Sequence, residues 1–266
     1  MPTAEPLPPT LRTQIDGGIC TIVADNPARL NAYTRDMWEA LPQYIRKAEG
    51  DPAVRVIVLR GAGTKAFSAG ADISEFEGNR TGAEARRYDE INHEAFEAVA
   101  RATKPTIAMV YGYCFGGGCE LAMCCDMRWV SDDAVFSIPA AKLSIGYNPR
   151  WIRPMLSVVS GAKAKEMLFT GRRYSAADAL AMGIANAVVP SSELEAQTRK
   201  VAEEMANNAP LSIRAAKEAV DELVAHPENP DMARLDRFVE ACFESEDYAE
   251  GRRAFMEKRN PRFRGR

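Results

Sequence analysis

Histidine is almost absent from this chain, which holds only His93 and His226 among 266 residues. Hydrolases that activate a nucleophile through an imidazole have little to work with here. The six cysteines (Cys20, Cys114, Cys119, Cys124, Cys125 and Cys242) form no C-x-x-C pair, so neither a metal cluster nor a secreted disulfide framework has its spacing. They read instead as buried thiols in a reducing compartment. Excess positive charge is missing too: 34 basic against 37 acidic residues leave a net charge of −3. That balance offers no field to gather nucleic acid or an anionic membrane. A continuous apolar run long enough to span a bilayer is also lacking. Ile107–Cys125 comes nearest, but three consecutive glycines and Glu120 interrupt it, and it reads as a strand, a turn and a buried helix. The opening Met1–Thr10 segment has four prolines and no apolar h-region. It is expected to be a frayed tail of a cytoplasmic protein rather than a signal peptide.

What is present is ordinary globular material, with 46% apolar and 27% charged residues. At about 150 residues per domain the length allows one to two domains. Strands are expected at Ile19–Asp25, Val54–Arg60 and Thr106–Tyr111, with shorter ones at Met127–Val130, Val135–Ile138 and Ile184–Val189. A helix capped by Thr34 should bury Met37, Leu41 and Ile45, and a second should cover Glu84–Ala102. Ser175 and Asp178 form a capping signature for a short helix ended by Gly183. After Pro190 the pattern turns helical: Ser192 with Glu195 should cap a helix to about Ala206, followed by helices over Pro210–Ala225, Asp231–Glu244 and Asp247–Lys258. The strand-then-helix rhythm predicts an α/β core over residues 1–190, with ligand loops after the strands, and a helical region over 191–266.

Two glycine loops carry the chemistry. The first runs Gly61–Ile73. Its Gly61-x-Gly63-x-x-Ala66 is a poor dinucleotide fingerprint, since Gly70 would break the helix that must follow. Lys65 is not in a P-loop frame, and Ser68 sits too far past its strand for a nucleophile elbow. The second loop, Gly112–Glu120, places three glycines after a strand. Such residues leave backbone N–H groups unobstructed, and a helix starting at Gly117 would turn its positive end toward a developing anion. Glu120 falls in that first turn within an uncharged stretch. It is either a helix-start glutamate or an acid–base group whose pKa is raised by apolar surroundings.

Together these loops identify a resemblance. Lys65-Ala-Phe-Ser-Ala-Gly-Ala-Asp72-Ile73, then Tyr111-Gly-Tyr-Cys-Phe-Gly-Gly-Gly-Cys-Glu120-Leu-Ala and Asp126, resemble the enoyl-CoA hydratase/isomerase (crotonase) superfamily. The likeness runs from about Asp25 to the end. Asn26-Pro-Ala-Arg-Leu-Asn-Ala32 resembles that family's CoA-contacting loop, and Phe255-x-x-Lys258-Arg its C-terminal signature. The resemblance implies a spiral of ββα repeats and a C-terminal helical region that builds a homotrimer, often paired into a hexamer. It implies an acyl-CoA substrate, with coenzyme A part of that substrate and no other cofactor or metal. The backbone N–H groups of Ala71 and Gly117 would form an oxyanion hole for a thioester enolate, with Glu120 as the acid–base group. Ala28, Arg29, Leu30, Ala69, Asp72 and Ile73 would hold CoA, with Phe255 and Lys258 reaching it, sometimes from a neighbouring subunit.

The match departs from the hydratase pattern at one position. Typical hydratases carry a second glutamate twenty residues after the first, and this chain has Ala140 there. The next stretch, Ala141–Pro149, resembles methylmalonyl-CoA decarboxylases, in which a tyrosine matching Tyr147 faces the substrate carboxylate. Ala71 stands where those enzymes have histidine. Three readings therefore stand: a hydratase/isomerase working through an enolate, a decarboxylase of a malonyl-CoA-type thioester, and a non-catalytic CoA-thioester binder. Residues 251–266 set seven basic side chains against Glu257. They are expected to form a solvated tail or subunit contact, with CoA phosphate or RNA as lesser options.

Overall fold

The structure, a computed structural model, describes residues 9–75 and 82–266. Most of the segment expected to fray lies outside them, but its last residue, Thr10, belongs to a strand. That strand, β1 (Thr10–Asp16), pairs antiparallel with β2 (Ile19–Asp25). Only Leu11 of β1 is buried, so it lacks the alternation by which a half-buried strand is recognised. The chain continues through α1 (Arg35–Gly50), β3 (Val56–Gly61), β4 (Ala66–Ser68), α2 (Gly82–Ala100), β5 (Thr106–Val110), β6 (Tyr113–Phe115) and α3 (Gly117–Cys124). Then come β7 (Met127–Ser131), β8 (Val135–Ser137), α4 (Pro149–Val158), α5 (Gly161–Thr170), β9 (Tyr174–Ser175), α6 (Ala176–Met182) and β10 (Ala187–Val189). Helices α7 (Leu194–Asn207), α8 (Pro210–Ala225), α9 (Met232–Phe243) and α10 (Glu246–Met256) end the chain.

The strands sort into two sheets. One has the order β1-β2-β3-β5-β7-β10 and is parallel apart from β1; the other has the order β4-β6-β8-β9. Each of the pairs β3/β4, β5/β6 and β7/β8 sends one strand to each sheet and is followed by a helix. This is one turn of a ββα spiral. The central parallel strands β3 and β5 are buried along almost their whole length, which is why they read as near-continuous apolar runs. Trp38, Leu41, Ile45, Ile57, Leu59 and Leu121 belong to the main core. On the opposite face α7 seals a second cluster built on Val56, Val58, Ile107, Met109 and Leu194.

Local signals hold at several helix ends. Thr34 accepts from the Met37 N–H at the start of α1, and Ser175 with Asp178 forms a full capping box on α6. Ser192 does not cap α7: the helix begins later, with Glu193 at the N-cap and no side-chain bond there. No described helix is long and apolar enough to cross a membrane. No group of three or more metal-ligating side chains occurs among the described residues. All six cysteines are free; five are buried, and Cys242 on α9 is half-buried.

The C-terminal residues are largely exposed, as expected of a solvated tail, but their backbone is anchored to α10. The Asp247 carboxylate accepts from the N–H groups of Arg264 (2.6 Å) and Gly265 (2.7 Å). Glu250 takes Arg253, both guanidinium nitrogens of Arg259 and the Arg262 N–H, which together hold its carboxyl far below the usual range. Arg253 and Arg259 of the basic cluster are thus paired internally, and Arg266 pairs with Glu246.

Candidate active site

The loop between β2 and α1 is shaped by two asparagines. Leu30 and Asn31 both have positive φ, 53° and 55°, a conformation uncommon outside glycine and costing Leu30 about 1–2 kcal/mol. The loop is held in it from several sides. The Asn31 amide donates to the carbonyls of Ala62 (3.0 Å) and Ala66 (2.8 Å), while its oxygen accepts from the Asn26 N–H (3.2 Å). Asn26 in turn donates to the Ala32 carbonyl. The Leu30 carbonyl accepts from Ala69 N–H at 2.9 Å, which ties this loop to the first glycine loop. Arg29 reaches Asp72 at 3.2 Å, and the same Asp72 oxygen takes the N–H and hydroxyl of Ser74. Ala28, Arg29, Leu30, Ala69, Asp72 and Ile73 therefore come together at one rim. Ile73 is an exposed apolar residue on it.

The two glycine loops meet beneath that rim. Tyr33 donates its N–H to the Gly70 carbonyl and accepts from Asp72 N–H. By the alternation of backbone bonds along an extended strand the Ala71 N–H then points away from Tyr33. Gly70 has φ +93°, and a Cβ there would lie 2.8 Å from the Phe115 carbonyl and 3.0 Å from Gly117 N. Only glycine permits both the conformation and the approach. Gly118 presses equally close: a Cβ on it would sit 2.7 Å from the Ser68 carbonyl. Gly117 is the first residue of α3, so its N–H has no intrahelical acceptor. Neither Ala71 N–H nor Gly117 N–H donates to any acceptor among the described residues.

Helix α3 is buried in all but its first residue, as its lack of an amphipathic pattern demands. Its far end is closed by the buried Arg128, which donates to the carbonyls of Cys125 (2.7 Å) and Ala122 (3.4 Å). Glu120, one turn in from Gly117, is 0% exposed. Tyr147 donates its hydroxyl to Glu120 Oε2 at 2.9 Å, while Oε1 has no partner among the described residues. Burial pushes the Glu120 carboxyl up to about 8, with the Tyr147 hydroxyl pulling the other way.

An aromatic wall encloses this pair. Tyr147 meets Trp151 edge-on (5.6 Å), Trp151 meets Phe96 (5.8 Å), Phe96 meets Trp38 (5.3 Å), and Trp38 stacks on Tyr33 at 4.2 Å. Trp38 also borders the oxyanion candidates, since a Cβ on Gly117 would lie 3.3 Å from its ring. Ala140 opens a short 3-10 turn just after β8 and packs half-buried against the core, adding no polar side chain.

Of the residues singled out from sequence, Ala71, Gly117, Glu120 and Tyr147 converge around one buried carboxyl, and the loop set lies at the adjoining rim. Phe255 and Lys258 do not join them within one chain. Phe255 is 83% exposed on α10, and Lys258 follows that helix with φ 52°. Asn26 with Pro27 is legible as the turn that ends β2, whereas Asn31 was missed as a loop builder, although Asn tolerates positive φ. Trp38, Phe96 and Trp151 were missed as well, being ordinary core aromatics until the fold unites them.

Residues 14–266 match the profile of the enoyl-CoA hydratase/isomerase family. The chain is 33% identical over 244 residues to the short-chain-enoyl-CoA hydratase of Clostridium acetobutylicum, covering 92% of this chain and 93% of that one. It is 35% identical over 256 residues to the carnitinyl-CoA dehydratase of Proteus mirabilis, covering 94% and 96%. Among solved structures, an enoyl-CoA hydratase/carnithine racemase from Magnetospirillum magneticum superposes with a TM-score of 0.92 at 35% identity, covering 96% of both chains.

Proposed function

The chain belongs to the enoyl-CoA hydratase/isomerase family, and we propose that it moves a proton beside the carbonyl of an acyl-CoA thioester, through an enolate held by Ala71 and Gly117. It is an acyl-CoA enzyme of hydratase/isomerase type; the proposal concerns how it works. The observation that carries the reading is the unpartnered Oε1 of Glu120, buried one helical turn from the Gly117 N–H. A carboxyl oxygen without a partner in an apolar site is expensive to maintain. A substrate proton supplies the missing partner.

The two free N–H groups suit the oxygen of a thioester, and more so the enolate oxygen, because charge develops there. With that oxygen held, the α-proton becomes acidic. In an isomerisation Glu120 takes a proton from Cα and returns it at Cγ, ending as it began. In a hydration the water oxygen bonds to Cβ as its proton passes to ionised Glu120, and Glu120 returns that proton to Cα, ending ionised as it began. A carboxyl poised at about 8 gives and takes a proton near neutrality. The rim of Ala28, Arg29, Leu30, Ala69, Asp72 and Ile73 would hold CoA. Phe255 and Lys258 would complete that site from a neighbouring subunit of a trimer or hexamer. Decarboxylation of a malonyl-type thioester is the weaker reading, because the Tyr147 hydroxyl that would orient a substrate carboxylate is engaged by Glu120.

Crotonyl-CoA, a 3-enoyl-CoA and methylmalonyl-CoA assayed side by side test the proposal. Turnover of one of the first two is expected, falling at least about a hundredfold in Glu120→Gln while CoA-thioester affinity stays within several-fold. Equal loss of binding and turnover would assign Glu120 a structural role. Loss of CO2 from methylmalonyl-CoA that survives the substitution would point to decarboxylation. Tight binding with no turnover would leave a thioester-binding protein.

A further inference from the structure

We infer that Tyr147 is the positioning residue of Glu120: its hydroxyl pins Oε2, so that Oε1 is the oxygen through which the proton moves. This rests on the functional reading above and deepens it by assigning the two carboxyl oxygens different work.

The geometry leaves little freedom. Tyr147 Oη lies 2.9 Å from Oε2, whereas Oε1 is buried with no partner among the described residues. The tyrosine is itself fixed at both ends. Its ring abuts Trp151 edge-on at 5.6 Å. Its backbone immediately precedes Asn148, whose side chain accepts the Arg150 N–H and caps α4. On the other side, Ser144 at φ 55° closes the turn that begins at Ala140, and the Ile145 N–H bonds the Ala140 carbonyl. Ring and backbone thus aim the hydroxyl at one carboxyl oxygen. Burial, then the neighbouring charge of Glu120, holds the phenol well above its ordinary range. Tyr147 therefore stays a donor at working pH and does not itself exchange the proton.

The other titratable groups around Glu120 do not compete for it. Cys119 and Cys124 share α3, and Cys114 lies on β6; burial raises the thiols of Cys114 and Cys124. Tyr88 is buried on α2 and Arg128 on β7, where its guanidinium serves the far end of α3. On α4, Arg150 pairs with Glu90 of α2 at the surface, and Arg153 is exposed. His93 sits beside Glu97 on α2, and β4 offers no titratable side chain. None of these donates a hydrogen bond to either Glu120 oxygen among the described residues.

Tyr147→Phe tests the inference, since it keeps the ring against Trp151 and removes only the hydroxyl. kcat should fall about ten- to a hundredfold with KM within about threefold. The pKa of Glu120 should rise, because the donor that stabilised its ionised form is gone. That pKa is read without substrate, from the carboxyl infrared band that disappears in Glu120→Gln, and with substrate from the matching limb of the pH–rate profile. An unmoved band overturns the inference whatever the thioesters do. So does a moved band with kcat retained, or a loss confined to KM. A moved band with no turnover of any of the three thioesters would overturn the functional reading and leave the hydrogen-bonded pair standing.

Discussion

At the scale of the residue, Glu120 works against the fold that holds it. Its carboxyl titrates near 4.5 in an unfolded chain and at about 8 in the folded one. Between those values the folded state binds more protons than the unfolded state, so stability falls as pH rises through this window. Below pH 4.5 the group is neutral in both states and costs nothing; above pH 8 its charge is buried at a cost on the order of a few kcal/mol. Glu120→Gln should therefore gain stability over the parent at pH 9 and show little gain at pH 4.5. Urea denaturation at the two values checks this, and an equal difference at both would mean that the carboxyl is not desolvated as described. Ala140 poses the complementary question. Ala140→Glu should raise crotonyl-CoA hydration by about tenfold to a thousandfold, by adding a second group able to handle the water proton. A variant that folds and binds CoA without that gain would mean that the Ala140–Tyr147 turn aims the new side chain away from the water.

At the scale of the element, the site depends on how closely α3 approaches β4. A Cβ at Gly118 meets Ser68 backbone and side chain, all within 2.9 Å, and backbone does not yield as a flexible side chain does. Gly118→Ala should destabilise by about 1–3 kcal/mol, lower Tm by several degrees, and weaken thioester binding as Gly117 N–H moves. An unchanged melting curve would show that the contact is slack. The elements also explain what was legible in the sequence. Helix α8 and strand β2 were readable to the residue, because a proline at the first helical position and side-chain patterning are local signals. Strands β4, β6 and β9 have three residues or fewer and are too short to show a period. Helices α4 and α5 went unread: α4 carries Pro149 at its start and Pro154 inside, which look like breakers. The glycine loops were visible from composition. The Tyr147–Glu120 bond was not, because it joins residues 27 apart through a turn whose shape depends on the whole spiral.

At the scale of the molecule, the last three helices leave much apolar surface uncovered. Val220, Val224, Met232, Phe243, Phe255 and Met256 are all at least half exposed, and α8 has no buried residue at all. We expect this surface to be the association face of an oligomer. Light scattering at micromolar concentration should give three or six times the monomer mass; a monomer would remove the neighbouring subunit as the source of Phe255 and Lys258. At the opposite extreme stand the thiols. Cys114, Cys119, Cys124 and Cys125 are buried on β6, on α3 and just beyond it, the same strand, turn and helix that carry Gly117 and Glu120. A thiol reagent needs an accessible thiolate, so it finds these sulfurs only when α3 lifts from its neighbours. The candidate site thus carries its own chemical clock: with Cys20 and Cys242 replaced by serine, the rate at which colour develops with an aromatic disulfide reports how often the site comes apart, with no substrate in the tube.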